Sequence, residues 1–140
     1  MNKEIRTEQI PPTPIRYQDY EQYWQGLEAG KPVLQKCGDC GAWCHVPQPI
    51  CPKCLSLNKK WEAISGKGTV YSWVVYHQSP DPEFPAPYAV ILVELEEGMR
   101  FVGNLIDVHP DDIKVGMTVE VFVEELSEEF KRLNFKKGKS

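Results

Sequence analysis

The chain predicts a mainly β fold in three parts: a short N-terminal helix, a metal-pinned ribbon, and a C-terminal five-stranded barrel. Three observations carry this. Four of the five cysteines stand in two Cys-x-x-Cys pairs, Cys37/Cys40 and Cys51/Cys54. Beyond Gly66-Lys67-Gly68 the sequence becomes dense in β-branched and aromatic residues, broken at short intervals by Gly and Pro. Before the cysteines, apolar residues recur at helical spacing between Tyr17 and Ala29.

The elements follow in order. Residues 1–16 hold three prolines and no period, which predicts an extended arm. Tyr20, Trp24 and Leu27, with Tyr17 and Tyr23 alongside, give an amphipathic helix over Tyr17–Ala29, and Gly30 sits where a helix C-terminus favours glycine. Its aromatic stripe packs on its own domain, or turns in part toward a partner or ligand. Strands are predicted over Gly68–His77, Tyr88–Leu95, Arg100–Val108 and Thr118–Leu126, with a fifth over Phe130–Phe135. In His109–Met117, Pro110 and Asp111 start one helical turn and Gly116 reverses the chain. Five short strands with a helical turn between the third and fourth match a small Greek-key barrel of the OB type. The expected organisation is an arm and helix over 1–30, a zinc ribbon over 31–67, and a barrel with a basic C-terminal tail over 68–140.

The cysteines carry the chemistry. A two-residue gap lets both thiolates of a pair point at one ion, and ten residues separate the pairs. Cys37, Cys40, Cys51 and Cys54 together complete the tetrahedral shell of a structural zinc. Disulfides are disfavoured in a chain with no sign of secretion, whereas iron fits the same four thiolates. A catalytic zinc would keep one position open. Cys44, the fifth thiol, reads as a small residue beneath Trp43, with a reactive thiol or spare ligand as the alternative. Because zinc binding folds a segment with little core of its own, loss of one ligand is expected to leave insoluble or protease-sensitive protein.

The net charge of −4 hides a division. Segment 31–67 is net +4, segment 81–130 is net −11, and the last ten residues are net +5. An acidic barrel repels a phosphate backbone, which argues against a polymeric nucleic acid. The basic ribbon fits a compact anion instead, leaving the barrel and the chain ends for a protein partner. Apolar runs such as Tyr88–Val93 fall far short of the roughly 18 residues that span a bilayer, and no signal-like leader precedes them, so a cytoplasmic protein is expected. No GxSxG, P-loop, GxGxxG or HExxH motif is present. Of the scattered histidines, only His77 falls where a barrel presents a ligand group, and Glu96-Glu97-Gly98 reads as a solvated turn.

Taken together, the chain resembles the acyl-CoA-associated OB-fold family with a rubredoxin-like zinc ribbon, long catalogued as a domain of unknown function. The resemblance covers Tyr17 to Leu126. It rests on the helix end YWQGL, the ribbon CGDCGAWCHVPQPICPKC, the strand entry GKGTVYSWVVYH, the stretch PYAVILVELEEGMRFVGNL and the late KVGMTVEVFVEE. It implies a non-catalytic accessory subunit of a hetero-oligomer, bound to a thiolase-like or other acyl-CoA enzyme such as a hot-dog-fold hydratase, and helping to hold acyl-CoA. Given that ligand, the chemistry of CoA points to Lys53, Lys59 and Lys60 of the basic ribbon for its phosphates. Trp24 or Trp43 is expected to cover the adenine, and the Pro80–Pro87 loop to border the pantetheine arm. The family often has an arginine where this chain has Gln48, so any contact made by that arginine does not carry over. The runner-up readings are a single-stranded nucleic-acid-binding module and a rubredoxin-like electron carrier. Steep salt dependence on oligonucleotides would mark the first, and the colour of an iron–thiolate site the second.

Overall fold

A computed structural model of the chain describes residues 20–79, 82, 85–128 and 130–138. The N-terminal arm, the first turn of the expected helix at Tyr17, most of the first half of the proline loop, and Lys139 lie outside the described residues. The elements are helix α1 (Glu21–Glu28) and strands β1 (Val33–Cys37), β2 (Trp43–Cys44), β3 (Lys59–Ala63), β4 (Lys67–Tyr76), β5 (Tyr88–Leu95), β6 (Arg100–Ile106), β7 (Thr118–Glu125) and β8 (Lys131–Lys137), with a 3-10 turn at Pro110–Asp112 between β6 and β7. No helix among the described residues is long and apolar enough to cross a membrane.

Helix α1 ends as its sequence dictates. Gly30 adopts φ +73°, its N–H donates to Leu27 O at 3.0 Å, and Lys31 N–H reaches Gly26 O at 2.8 Å. The buried face carries Tyr23 and Leu27. Strands β2-β1-β3 form a small antiparallel sheet. The other five strands close a barrel in the order β4-β5-β6-β8-β7, with β6 and β8 parallel at Leu105/Phe135 and Ile106/Lys136. This is the OB barrel with its helical turn between the third and fourth strands.

Alternation explains the barrel core. Ala89, Ile91, Val93 and Leu95 on β5 point inward, joined by Val70, Val119 and Phe135. On β4 the register slips between Val70 and Ser72, so Tyr71 and Ser72 both face out. Gly68 is needed where β4 crosses β5 closely. A Cβ there would stand 2.7 Å from the Glu94 carbonyl oxygen and 2.6 Å from Val93 Cγ1.

The expected basic tail is largely a barrel strand. Residues 131–137 form β8, which pairs antiparallel with acidic β7, setting Lys136 opposite Glu120 and Arg132 opposite Glu124. Arg132 Nε and Asn134 Nδ2 both donate to Glu124 Oε2, at 2.6 and 2.7 Å, and Asn134 Oδ1 accepts from Asn104 N–H at 2.8 Å. Residues 68–140 thus carry seven basic side chains against thirteen acids, net −6. The −11 of segment 81–130 overstated the barrel's acidity because it left out the strand that neutralises β7.

Candidate metal centre and the joint between ribbon and barrel

Cys37 closes β1 and opens the first knuckle, and Cys51 opens the second. The two knuckles repeat one backbone geometry. Gly41 N–H donates to Cys37 O at 3.1 Å, and Leu55 N–H to Cys51 O at 2.9 Å. Within each turn, backbone N–H groups aim at the leading thiol. Asp39 N and Cys40 N lie 3.4 Å from Cys37 Sγ, and Lys53 N lies 3.4 Å from Cys51 Sγ. These donors favour the thiolate. The Cys51 thiol is pushed down to about 6, first by the Cys54 N–H.

All four Sγ atoms lie within 4.8 Å of one another, with Cys37–Cys54 at 3.5 Å and Cys40–Cys51 at 3.6 Å. Thiolates about 2.3 Å from a single zinc would stand about 3.8 Å apart at tetrahedral angles, so the donor set fits. Cys37 and Cys51 are buried and Cys40 and Cys54 exposed. When bound, the metal cross-links the two knuckles. All four positions are taken by protein, which leaves no place for substrate and makes the centre structural.

Cys44 stays outside this set. Its Sγ donates to Val46 O at 3.3 Å, and burial pushes its thiol up, so it is a packed residue and not an activated nucleophile. His77 is exposed on the loop after β4. The informative histidine is His45, which sequence reasoning passed over. Its ring stacks on Phe101 of β6 at 4.3 Å between centroids and lies 5.5 Å from the ring of Tyr23 on α1. Phe101 in turn meets Phe135 edge-on at 6.1 Å. Helix, ribbon and barrel therefore share one aromatic joint. The neighbouring run of Trp43, Cys44 and Pro47 was the only signal for it, because the partner rings lie about 22 residues before and 56 after His45 in sequence.

His45 Nδ1 is buried with no hydrogen-bond partner among the described residues, and burial holds its pKa down to about 4. The unfolded chain protonates near 6.5. Between these values the unfolded state binds more protons, so stability is complete above about pH 6.5 and falls as pH drops toward 4. At about pH 5.5, with saturating zinc, the expected loss is about 1.4 kcal/mol relative to pH 7.5. Urea midpoints at the two pH values measure it, and His45→Phe should remove that part of the dependence.

The residues expected to touch CoA do not line one cavity. Lys53 borders a cleft of about 430 Å³ with Trp43, Cys40, Cys54, Glu97 and Met99. Lys59 borders another of about 540 Å³, between α1 and the ribbon, with Gln25, Gln35, Gln48, Leu57 and Trp61. Its Nζ is buried without a hydrogen-bond partner among the described residues. Lys60 pairs with Glu62 at 2.9 Å. Trp24 projects from α1 toward the segment before β8, its ring 5.0 Å from Tyr23 of the same helix and 5.8 Å from Phe130. Glu97 is more than part of a solvated turn: Oε1 accepts from Ser65 N–H at 2.6 Å, while Oε2 is buried without a hydrogen-bond partner among the described residues. Gln48 uses its backbone N–H to hold Gln35 Oε1 at 2.9 Å.

Comparison with known proteins agrees with this anatomy. Residues 24–59 match the family described as "ChsH2, rubredoxin-like zinc ribbon domain", and residues 61–124 match "ChsH2, C-terminal OB-fold domain". The chain is 40% identical over 123 residues to a probable enoyl-CoA hydratase alpha subunit of Thermomonospora curvata, covering 84% of this chain and 38% of that protein. It thus spans well under half of that relative's length. It is 40% identical over 96 residues to a DUF35 domain-containing scaffold protein of Methanocaldococcus jannaschii, covering 67% of this chain and 68% of that one. Among solved structures, the Ltp2-ChsH2(DUF35) aldolase superposes with a TM-score of 0.83 at 36% identity, covering 89% of this chain and 98% of the matched chain. On sequence and fold together, the chain belongs to the DUF35 family of ChsH2 type, in which a zinc ribbon is joined to an OB-fold.

Proposed function

We propose that the chain is a zinc-held, non-catalytic accessory subunit that assembles with a thiolase-like enzyme in the cytoplasm and helps it hold acyl-CoA. The observation that carries the reading is the match to nearly the full length of one chain of an aldolase whose name joins Ltp2 to ChsH2(DUF35). The chemistry of the side chains supports it. Among the described residues, Cys44 is buried and hydrogen-bonded to backbone, His45 is locked in an aromatic joint, and His109 accepts from Asp111 N–H. None of these groups is hydrogen-bonded to another of them as nucleophile to base, which supports leaving bond-making to a partner.

Within this reading, the cleft that sets Lys53 beside Trp43 takes the nucleotide end of CoA. Calorimetry tests it. The complex recovered with the tagged chain from its native cells should bind acetyl-CoA or a longer acyl-CoA, and Lys53→Ala with Trp43→Ala should weaken that binding. A recovered partner with no CoA chemistry, or a complex that binds no acyl-CoA, would overturn the proposal.

A further inference from the structure

The second knuckle breaks a rule that the first obeys. At the residue after the second cysteine the backbone must turn left-handed, and the first knuckle places Gly41 there at φ +74°. The second places Leu55 at φ +63°. This is a region that side-chain-bearing residues disfavour, and leucine gains nothing there from asparagine-like local hydrogen bonding. Packing within the chain does not compensate, since Leu55 is 74% exposed. Leu57, two residues on, is also 74% exposed, and Ile50, just before Cys51, is 45% exposed. Three aliphatic side chains thus stand out from one metal-pinned turn, a rigid mount that loses little freedom on binding.

The charge around them is mainly positive. Segment 31–67 carries six lysines against two acids; Glu62 pairs with Lys36 and Lys60, while Asp39, which stays ionised, accepts from Ser56 Oγ and Asn58 Nδ2. Lys53, inside the same knuckle, has no ion-pair partner among the described residues. From these features we infer that the second knuckle is the anchor by which the chain docks on its catalytic subunit, Leu55 and Leu57 entering an apolar socket with an acidic rim. This rests on the accessory-subunit reading. It moves the protein contact from the barrel and chain ends, where charge alone had put it, to the ribbon.

The test uses the full zinc-loaded chain and the purified catalytic subunit, a thiolase, aldolase or hydratase of the same organism. Leu55→Gly copies the first knuckle, so it should keep its zinc and melt at or above the wild-type temperature. It should still bind the catalytic subunit about 30-fold more weakly, with Leu57→Ser similar and added salt weakening the wild type. A loss of about tenfold or more supports the inference, and a smaller one overturns it. Self-association of the chain that Leu55→Gly abolishes would assign the knuckle to a second copy and overturn it too. If the wild-type chain fails to bind the catalytic subunit at all, the accessory-subunit reading falls with it.

Discussion

Cys40→Ser is expected to leave a chain whose ribbon no longer folds. Structural zinc in small ribbons contributes about 10–16 kcal/mol of apparent binding energy at neutral pH, as large as the whole stability of about 5–15 kcal/mol typical of a domain. The ribbon has little else. Among its described residues the fully buried side chains are Leu34, Cys37 and Cys51, two of them metal ligands. Removing one thiolate leaves three ligands around the ion and the first knuckle held by Cys37 alone. Zinc content measured on the purified variant should fall well below one per chain, and limited proteolysis should cut first between about residues 37 and 59. The barrel, whose core of Val70, Ile91, Val93, Val119 and Phe135 contains no metal ligand, should resist longer. Chelation of the wild type should reproduce the pattern. A metal-free Cys40→Ser protein with wild-type protease resistance would show that the four thiolates do not hold the fold.

Phe101→Ala is expected to have the next largest effect, about 3–5 kcal/mol, because the ring serves two units at once. It is 5% exposed, stacks on His45 of the ribbon, and meets Phe135, which is fully buried in the barrel. The truncation opens a cavity in the barrel and uncouples the ribbon from it in the same step. Urea unfolding in zinc-containing buffer at neutral pH measures the loss. The variant should also lose much of the acid sensitivity assigned to His45, since water reaches the imidazole once its cover is gone and its pKa returns toward 6.5. A loss below about 1 kcal/mol, with the acid dependence unchanged, would show that the joint is not a shared support.

Much of the fold was legible because its signals are local. The strand over Tyr88–Leu95 reads directly from its apolar run, and the four ligands from their spacing. What the sequence hid depends on contacts between distant residues. The basic C-terminal run reads as a short strand and then a tail until its pairing with acidic β7, out to Lys137, is known. His45 resembles any loop histidine until Phe101 and Tyr23 arrive from other elements. The lysines near the ribbon look like one phosphate site when counted along the chain, but strand and knuckle direct Lys53 and Lys59 to different clefts and Lys60 to Glu62. Leu55 could have been noticed by aligning the two knuckles, CGDCG against CPKCL, since only the first offers glycine where the turn requires a left-handed residue.

The central claim, that this chain completes an acyl-CoA enzyme without doing the chemistry itself, is tested most directly by reconstituted turnover. The purified catalytic subunit is assayed on its acyl-CoA substrate alone, with the zinc-loaded chain, and with the Cys40→Ser chain, beside the zinc-loaded chain by itself. The account predicts no turnover from the chain alone, a marked gain when the zinc-loaded chain joins the catalytic subunit, and no gain from the Cys40→Ser chain. Equal turnover with and without the zinc-loaded chain, or turnover by the chain alone, would contradict it.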